Sequence, residues 1–125
     1  MEKRPMVLIV DDDKVMRELL KDLLERDGID TMTAGDGHEA LLLLSHKTPD
    51  LVLTDLVMPG MDGFGLIGTL KRQNLFKSVP IIAITSVAGK GFEAKALALG
   101  ASGFLQKSDI SRNFGEHVRE VLANA

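Results

Sequence analysis

The sequence predicts an α/β fold in which helices cover both faces of a doubly wound, five-stranded parallel sheet. Short apolar segments alternate with longer segments whose apolar residues recur at helical spacing, and this alternation repeats five times along the 125 residues. Four of the short segments are mostly continuously apolar, which is typical of strands covered on both faces. Strands that alternate with helices pair in parallel through right-handed crossovers. We therefore expect one domain that spans residues 1–125.

The predicted strands set the order of the sheet and the position of a site. They cover residues 6–10, 29–33, 51–54, 80–85 and 103–106. The second strand alternates apolar and polar residues, as edge strands do. Five strands favour the flavodoxin-like order 2-1-3-4-5, in which ligands bind beyond the carboxyl ends of the strands, between strands one and three.

Capping signals mark the ends of several helices. Asp13 is expected to cap the first helix, and Gly28 stands where that helix should stop. Asp36 with Glu39 forms a start to the second helix that is similar to a capping box. Gly100 is expected to end the fourth helix.

Composition excludes several classes of function. The chain has no cysteine, so it uses no disulfide, thiolate metal site or catalytic thiol. The net charge of −3 gives no electrostatic reason to bind nucleic acid or an anionic membrane. No apolar run approaches the ~20 residues that span a bilayer. We expect a cytoplasmic protein that contacts neither nucleic acid nor membrane directly.

Charged and hydroxyl side chains stand at the carboxyl ends of four predicted strands. They are Asp11, Asp12, Asp13, Asp55, Thr85 and Lys107. Clustered carboxylates repel one another and recruit a cation, and oxygen ligands suit Mg²⁺. A metal would leave one carboxylate free to attack phosphorus, while the ammonium and the hydroxyl orient the phosphoryl oxygens. The pattern indicates phosphoryl chemistry.

Four motifs at these strand ends resemble the receiver domain of bacterial response regulators, over essentially the whole chain. They are LIVDDD at 8–13, LVLTDLVMPGMDG at 51–63, IIAITS at 81–86 and GASGFLQK at 100–107. Thr85 and Lys107 follow Asp55 in the sequence by 30 and 52 positions, and these spacings also resemble those of the family. The likeness extends to single-domain chemotaxis regulators. It implies a two-component signalling domain that catalyses only its own phosphorylation and slow dephosphorylation, not an enzyme.

The resemblance also implies where the phosphoryl group and the metal bind. Asp55 would accept the group as an acyl phosphate from a sensor histidine kinase or a phosphotransfer protein. Mg²⁺ would bind Asp55, Asp12, the backbone carbonyl of Val57 and, directly or through water, Asp11.

Three further residues would read the phosphorylated state, by the same resemblance. Thr85 would move toward the phosphoryl group and donate a hydrogen bond to it, and Lys107 would pair with it. Phe104 would change rotamer with Thr85. A downstream protein would bind the face formed by the fourth helix, the fifth strand and the fifth helix.

The chain departs from the family pattern in two places. Ser108 follows Lys107 where receiver domains usually have a proline joined by a cis bond, so we expect a trans bond here. Val57 and Val87 stand two residues beyond the acceptor and the threonine, at positions that influence attack by water in this family. Neither apolar side chain can orient water, which predicts slow self-dephosphorylation.

Other functions compete with this interpretation. LIVDDDKV also fits the opening of haloacid-dehalogenase-like phosphatases, with Asp11 as nucleophile and Asp13 as acid/base. That reading leaves Asp55 unexplained and lacks the acidic pair expected after Lys107. In a flavodoxin-like electron carrier, three aspartates after the first strand would repel the flavin phosphate. A receiver-like interaction module that is never phosphorylated stays open, because Ser108 alters the site.

Overall fold

The computed structural model describes residues 3–86 and 91–124, and in them five strands alternate with five α-helices. The strands are β1 (Met6–Val10), β2 (Asp30–Ala34), β3 (Leu51–Asp55), β4 (Ile81–Thr85) and β5 (Gly103–Gln106). The helices are α1 (Lys14–Arg26), α2 (Gly37–Leu44), α3 (Gly63–Lys71), α4 (Phe92–Leu99) and α5 (Phe114–Ala123). A 3₁₀ turn, Lys107–Asp109, follows β5. None of the helices described has the length and hydropathy that a membrane crossing requires.

The strands form one sheet in the order β2-β1-β3-β4-β5, and every neighbouring pair is parallel. This confirms the predicted doubly wound order and the edge position of β2. The second strand begins one residue later than predicted because Ile29 still belongs to the turn that closes α1: its amide donates to the Leu24 carbonyl. Pairing with β1 starts at Asp30, which lies opposite Met6.

Side chains alternate along the strands into two apolar layers. On one face, Leu8, Val10, Val52, Ile81 and Ala83 pack with buried residues of α2, α3 and α4. On the other face, Val7, Ile9, Leu51, Leu53, Ile82 and Ile84 pack with buried residues of α1 and α5. Since both faces of the central strands are covered, their carboxyl ends are held rigidly.

The predicted caps form. The Asp13 carboxylate accepts a hydrogen bond from the Val15 amide at 3.0 Å, and the Asp36 carboxylate accepts one from the Glu39 amide at 2.7 Å. Glu39 reaches back one residue further than in a regular capping box, because its Oε1 accepts from the Gly35 amide at 2.8 Å. Each cap satisfies an amide that the first helical turn leaves without a partner.

Helix α3 begins directly behind the end of β3, at a position that only glycine fits. The Gly63 amide donates to the Leu56 carbonyl at 3.0 Å. A Cβ atom at Gly63 would overlap the Asp55 carbonyl oxygen and lie 2.7 Å from the Leu56 Cα. The backbone of Asp55 is therefore supported by the first turn of α3.

Gly63→Ala is expected to lower the free energy of unfolding by about 1–3 kcal/mol, because the helix must move away from β3 to admit the methyl group. Urea unfolding measures the change. Gly65→Ala is the matched control, since a Cβ there meets its nearest atoms at an ordinary 3.5 Å. It should leave stability unchanged or raise it by up to about 1 kcal/mol. Equal effects of the two substitutions would contradict the packing argument.

Candidate functional site

Three carboxylates meet at the carboxyl ends of β1 and β3. Asp11, Asp12 and Asp55 each place one carboxylate oxygen within 4.8 Å of the others. They meet because β1 and β3 are neighbours in register, with Val10 opposite Thr54. Asp11 is fully buried and Asp55 is 4% exposed, whereas Asp12 is exposed. The sequence prediction therefore identified residues that converge.

A buried ammonium bridges two of these carboxylates. Lys107, in the 3₁₀ turn after β5, places its Nζ 2.8 Å from Asp11 Oδ2 and 3.2 Å from Asp55 Oδ2. Its side chain is 11% exposed. The bond between Lys107 and Ser108 is trans, as expected for a serine at this position. The lysine reaches both carboxylates with that bond in the trans form.

The charges in this cluster shift one another's proton affinity. Burial raises the pKa of Asp55; the ammonium of Lys107 opposes that effect, and the charge of Asp11 adds to it, so the net pKa is raised. Burial lowers the pKa of Lys107, but close contact with Asp11 and the charge of Asp55 outweigh burial, and the net pKa is raised. The lysine is therefore charged at neutral pH.

The carboxylate oxygens fit a hard divalent cation. Asp11 Oδ1 accepts from the Asp13 amide at 2.9 Å, and Asp55 Oδ1 accepts from the Val57 amide at 3.2 Å. Each buried carboxylate thus has one oxygen fixed by the backbone and the other beside the Lys107 ammonium. Asp11 Oδ2 is buried, forms an ion pair with the Lys107 ammonium at 2.8 Å and, among the described residues, accepts no hydrogen bond of good geometry. Such oxygens are ligands that Mg²⁺ accepts.

The remaining predicted residues lie on β4, on β5 and two residues beyond the end of β3. Thr85 is fully buried at the end of β4, one residue beyond Ile84, which pairs with Asp55. Phe104, on β5, is partly buried and pairs with Ala83, so it shares a face of the sheet with Thr85. Val57 is half exposed at its side chain. The predicted contribution of Val87 lies outside the described residues.

The structure adds two residues that sequence reasoning overlooked. Arg17, on α1, donates from Nη1 to the backbone carbonyl of Asp11 at 2.7 Å. Thr54 is buried and its hydroxyl donates to the Asp55 carbonyl at 2.9 Å. Both act on the main chain of an acidic residue. The only signal in the sequence was their closeness to the aspartates.

The phosphatase alternative finds no support in this geometry. It requires Asp13 as an acid/base beside Asp11, but the Asp13 carboxylate accepts hydrogen bonds from the amides of Val15 and Met16 at the start of α1. Asp55 occupies the position next to Asp11 instead. The residue that this hypothesis left unexplained is the one that completes the acidic cluster.

Comparison with known proteins agrees with the site. The family model described as "Response regulator receiver domain" matches residues 7–118. The polar-differentiation response regulator DivK of Brucella anthropi is 32% identical over 119 residues, which cover 95% of this chain and 97% of that protein. A putative response regulator from Chloroflexus aurantiacus superposes with a TM-score of 0.90 at 30% identity, covering 97% of this chain and 99% of that one.

Other relatives are longer than this chain. The probable transcriptional regulator ycf27 of Porphyridium aerugineum is 33% identical over 93% of this chain, but the match spans 47% of that protein. The chain thus spans about half the length of such curated relatives. Because the family model covers nearly the whole sheet and the acidic cluster, and DivK matches end to end, this chain belongs to the response regulator receiver domains, which are phosphoaccepting signalling domains.

Proposed function

We propose that this domain accepts a phosphoryl group on Asp55 from a sensor histidine kinase or a phosphotransfer protein, and then changes its affinity for a downstream protein. The observation that carries the proposal is the cluster of Asp11, Asp12 and Asp55 around the ammonium of Lys107. We place the domain in the cytoplasm. It acts on no separate substrate, so it is a signalling domain and not an enzyme.

Mg²⁺ would be held by Asp11, Asp12, Asp55 and the backbone carbonyl of Val57. When bound, it would neutralise charge on the carboxylates and on the transferring phosphoryl group. The chain itself orients the nucleophile: the Val57 amide binds Asp55 Oδ1, and Oδ2 faces the Lys107 ammonium. In the transfer, Asp55 Oδ2 forms a bond to phosphorus while the bond from phosphorus to the donor breaks, and the donor leaves with that electron pair.

Lys107 and Thr85 would stabilise the product. The ammonium already lies 3.2 Å from Asp55 Oδ2, close enough to pair with a phosphoryl oxygen after small adjustments. Thr85, at the end of the neighbouring strand, would donate its hydroxyl to another oxygen. New contacts of this kind favour a conformation that is rare before phosphorylation.

The output surface would be the face formed by α4, β5 and α5. Phe104 supports this choice because it lies on β5, on the same face of the sheet as Thr85, and is partly exposed. A movement of Thr85 would change the packing available to the ring. The downstream protein would then bind the face in one arrangement better than in the other, which is what shifts the population.

The first prediction tests the acceptor. After incubation with acetyl phosphate and Mg²⁺, the wild type should gain the mass of one phosphoryl group, and none when Mg²⁺ is chelated. Asp55→Asn should gain nothing because the nucleophilic oxygen is lost. Asp13→Asn removes a charge beside the cluster but keeps a capping side chain at the start of α1, and Asp22→Asn removes an exposed surface charge. Both variants should react like the wild type. Intact mass measures the result, and uptake by Asp55→Asn equal to the wild type would refute the proposal.

The raised pKa of Asp55 predicts a pH-dependent stability difference. Because the folded pKa lies above the ordinary 3.8, this carboxyl favours folding most below that value, and the contribution is lost as the pH rises through the folded pKa. Without Mg²⁺, Asp55→Asn should therefore be more stable than the wild type at neutral pH, and the difference should shrink in acid. Thermal unfolding against pH measures it, with Asp22→Asn as the control.

Added Mg²⁺ should reverse that comparison, since a cation that binds only the folded wild type stabilises it by mass action. If the stability difference between wild type and Asp55→Asn depends on neither pH nor Mg²⁺, the assigned charge cluster is contradicted.

The apolar side chain at Val57 predicts slow loss of the phosphoryl group. It is half exposed beside Asp55, and Val57→Asn would place there an amide that can orient water. The rate of dephosphorylation, followed by intact mass after donor removal, should rise several-fold. Val57→Leu, which stays apolar, and Val15→Asn, which places the same amide on exposed α1, are the controls. Equal dephosphorylation rates in the wild type and the three variants would show that the Val57 side chain does not control the loss of the phosphoryl group.

A further inference from the structure

We infer that Arg17 is a positioning residue for the cation site: it fixes the main chain of Asp11 and so aims the Asp11 carboxylate at the metal. The inference rests on the proposed function, because it concerns the Mg²⁺ that the acidic cluster would bind. It adds to that site a residue on α1 that touches neither the cation nor the phosphoryl group.

The carbonyl of Asp11 stands where β1 leaves the sheet. Pairing of β1 with β2 ends at Val10 and Ala34, and the Asp11 amide makes one more ladder bond, to the Ala34 carbonyl at 3.1 Å. The carbonyl of the fully buried Asp11 then accepts from Arg17 Nη1 at 2.7 Å. A hydrogen bond of this length from a charged donor is among the stronger kinds in proteins. Removing the donor leaves a buried acceptor without this partner.

The Arg17 guanidinium lies beside the segment that follows β1 and the segment that follows β2. A Cβ atom at Gly35, the residue after β2, would lie 3.4 Å from Arg17 Nη1 and 3.9 Å from Cζ. The turn at Gly35 is itself fixed, since its amide donates to Glu39 Oε1 at 2.8 Å. Among the described residues, no carboxylate lies within ion-pair distance of Arg17. Its guanidinium donates to the main chain of Asp11 instead.

Asp11 is therefore tethered at three points. Its amide is bound by Ala34, its carbonyl by Arg17 and its Oδ1 by the Asp13 amide. Only Oδ2 is left to face Lys107 and the acidic cluster. If the Arg17 tether is lost, the peptide between Asp11 and Asp12 gains freedom, and the Asp11 carboxylate loses its fixed aim. Residues that orient metal ligands in this way typically contribute 10–100-fold to metal affinity.

The direction in which Mg²⁺ affinity changes when Arg17 is removed distinguishes a positioning role from a purely electrostatic one. A guanidinium near a cation site repels the cation, so by charge alone its removal would tighten Mg²⁺ binding. Loss of positioning would weaken binding. Arg17→Lys separates the two further, because it keeps the charge and loses the planar fork that reaches the carbonyl.

The experiment is a calorimetric titration with Mg²⁺ at neutral pH, on proteins whose folding is verified by circular dichroism. Arg17→Met should bind Mg²⁺ about tenfold more weakly than the wild type. Arg17→Lys should also bind more weakly, and Gly35→Val should do so with Arg17 intact, because the new side chain crowds the guanidinium. Arg26→Met is the matched control: Arg26 lies on the same helix but pairs with Asp22 at the surface, and its loss should leave affinity unchanged.

A second readout needs no metal. Amide exchange at Asp13, whose N–H is held by Asp11 Oδ1, should be faster in Arg17→Met than in the wild type or Arg26→Met. Unchanged or tighter Mg²⁺ binding by folded Arg17→Met would overturn the inference, as would unchanged exchange at Asp13. If Arg17→Met does not fold, Gly35→Val and Arg17→Lys decide in the same way. A wild type that binds no Mg²⁺ would instead refute the proposed function.

Discussion

The placement of two buried carboxylates side by side is the constraint on which the rest of the site depends. The sheet order makes β1 and β3 neighbours, and their register brings Asp11 and Asp55 together. Burying an ion costs several kcal/mol unless it is paired, so the ends of these strands need positive charge. Lys107 supplies it from the turn after β5, an edge strand, at 2.8 and 3.2 Å from the two carboxylates. One ammonium cannot compensate two carboxylates and the nearby Asp12, and the remaining charge favours a divalent cation.

The shell around the carboxylates is built from backbone contacts. The main chain of Asp55 packs against the first turn of α3, where Gly63 allows close approach. One carboxylate oxygen of Asp55 accepts a hydrogen bond from the Val57 amide. Asp11 is held by β2 and by Arg17. Since these tethers belong to packed strands and helix ends, they restrict the movement of the acidic oxygens. A site of this kind can bind a cation with little reorganisation.

Much of this could be predicted from the sequence because the determining signals are local. Continuous apolar strands, helix caps at Asp13 and Asp36, and the alternation of elements fixed the sheet order, and the order fixed which strand ends converge. The first residue of β2 was missed by one, because an apolar residue at the end of α1 looks like the start of a strand. Arg17 was missed for a different reason. Hydrogen bonds to a main-chain carbonyl leave no pattern in the sequence, since any residue type presents the same acceptor.

If Asp55 is phosphorylated as proposed, the position of Lys107 also explains how that change would affect the β5 edge of the sheet. The phosphoryl group would add negative charge beside an ammonium that is already shared with Asp11. The ammonium would then redistribute between the two partners, and a cation at the cluster would release it from Asp11. Lys107 opens the 3₁₀ turn that joins β5 to α5. A shift of its side chain would therefore act on the same edge of the sheet that carries Phe104. Under the proposed function, the charge exchange at the acidic cluster and the repacking of that edge would be coupled.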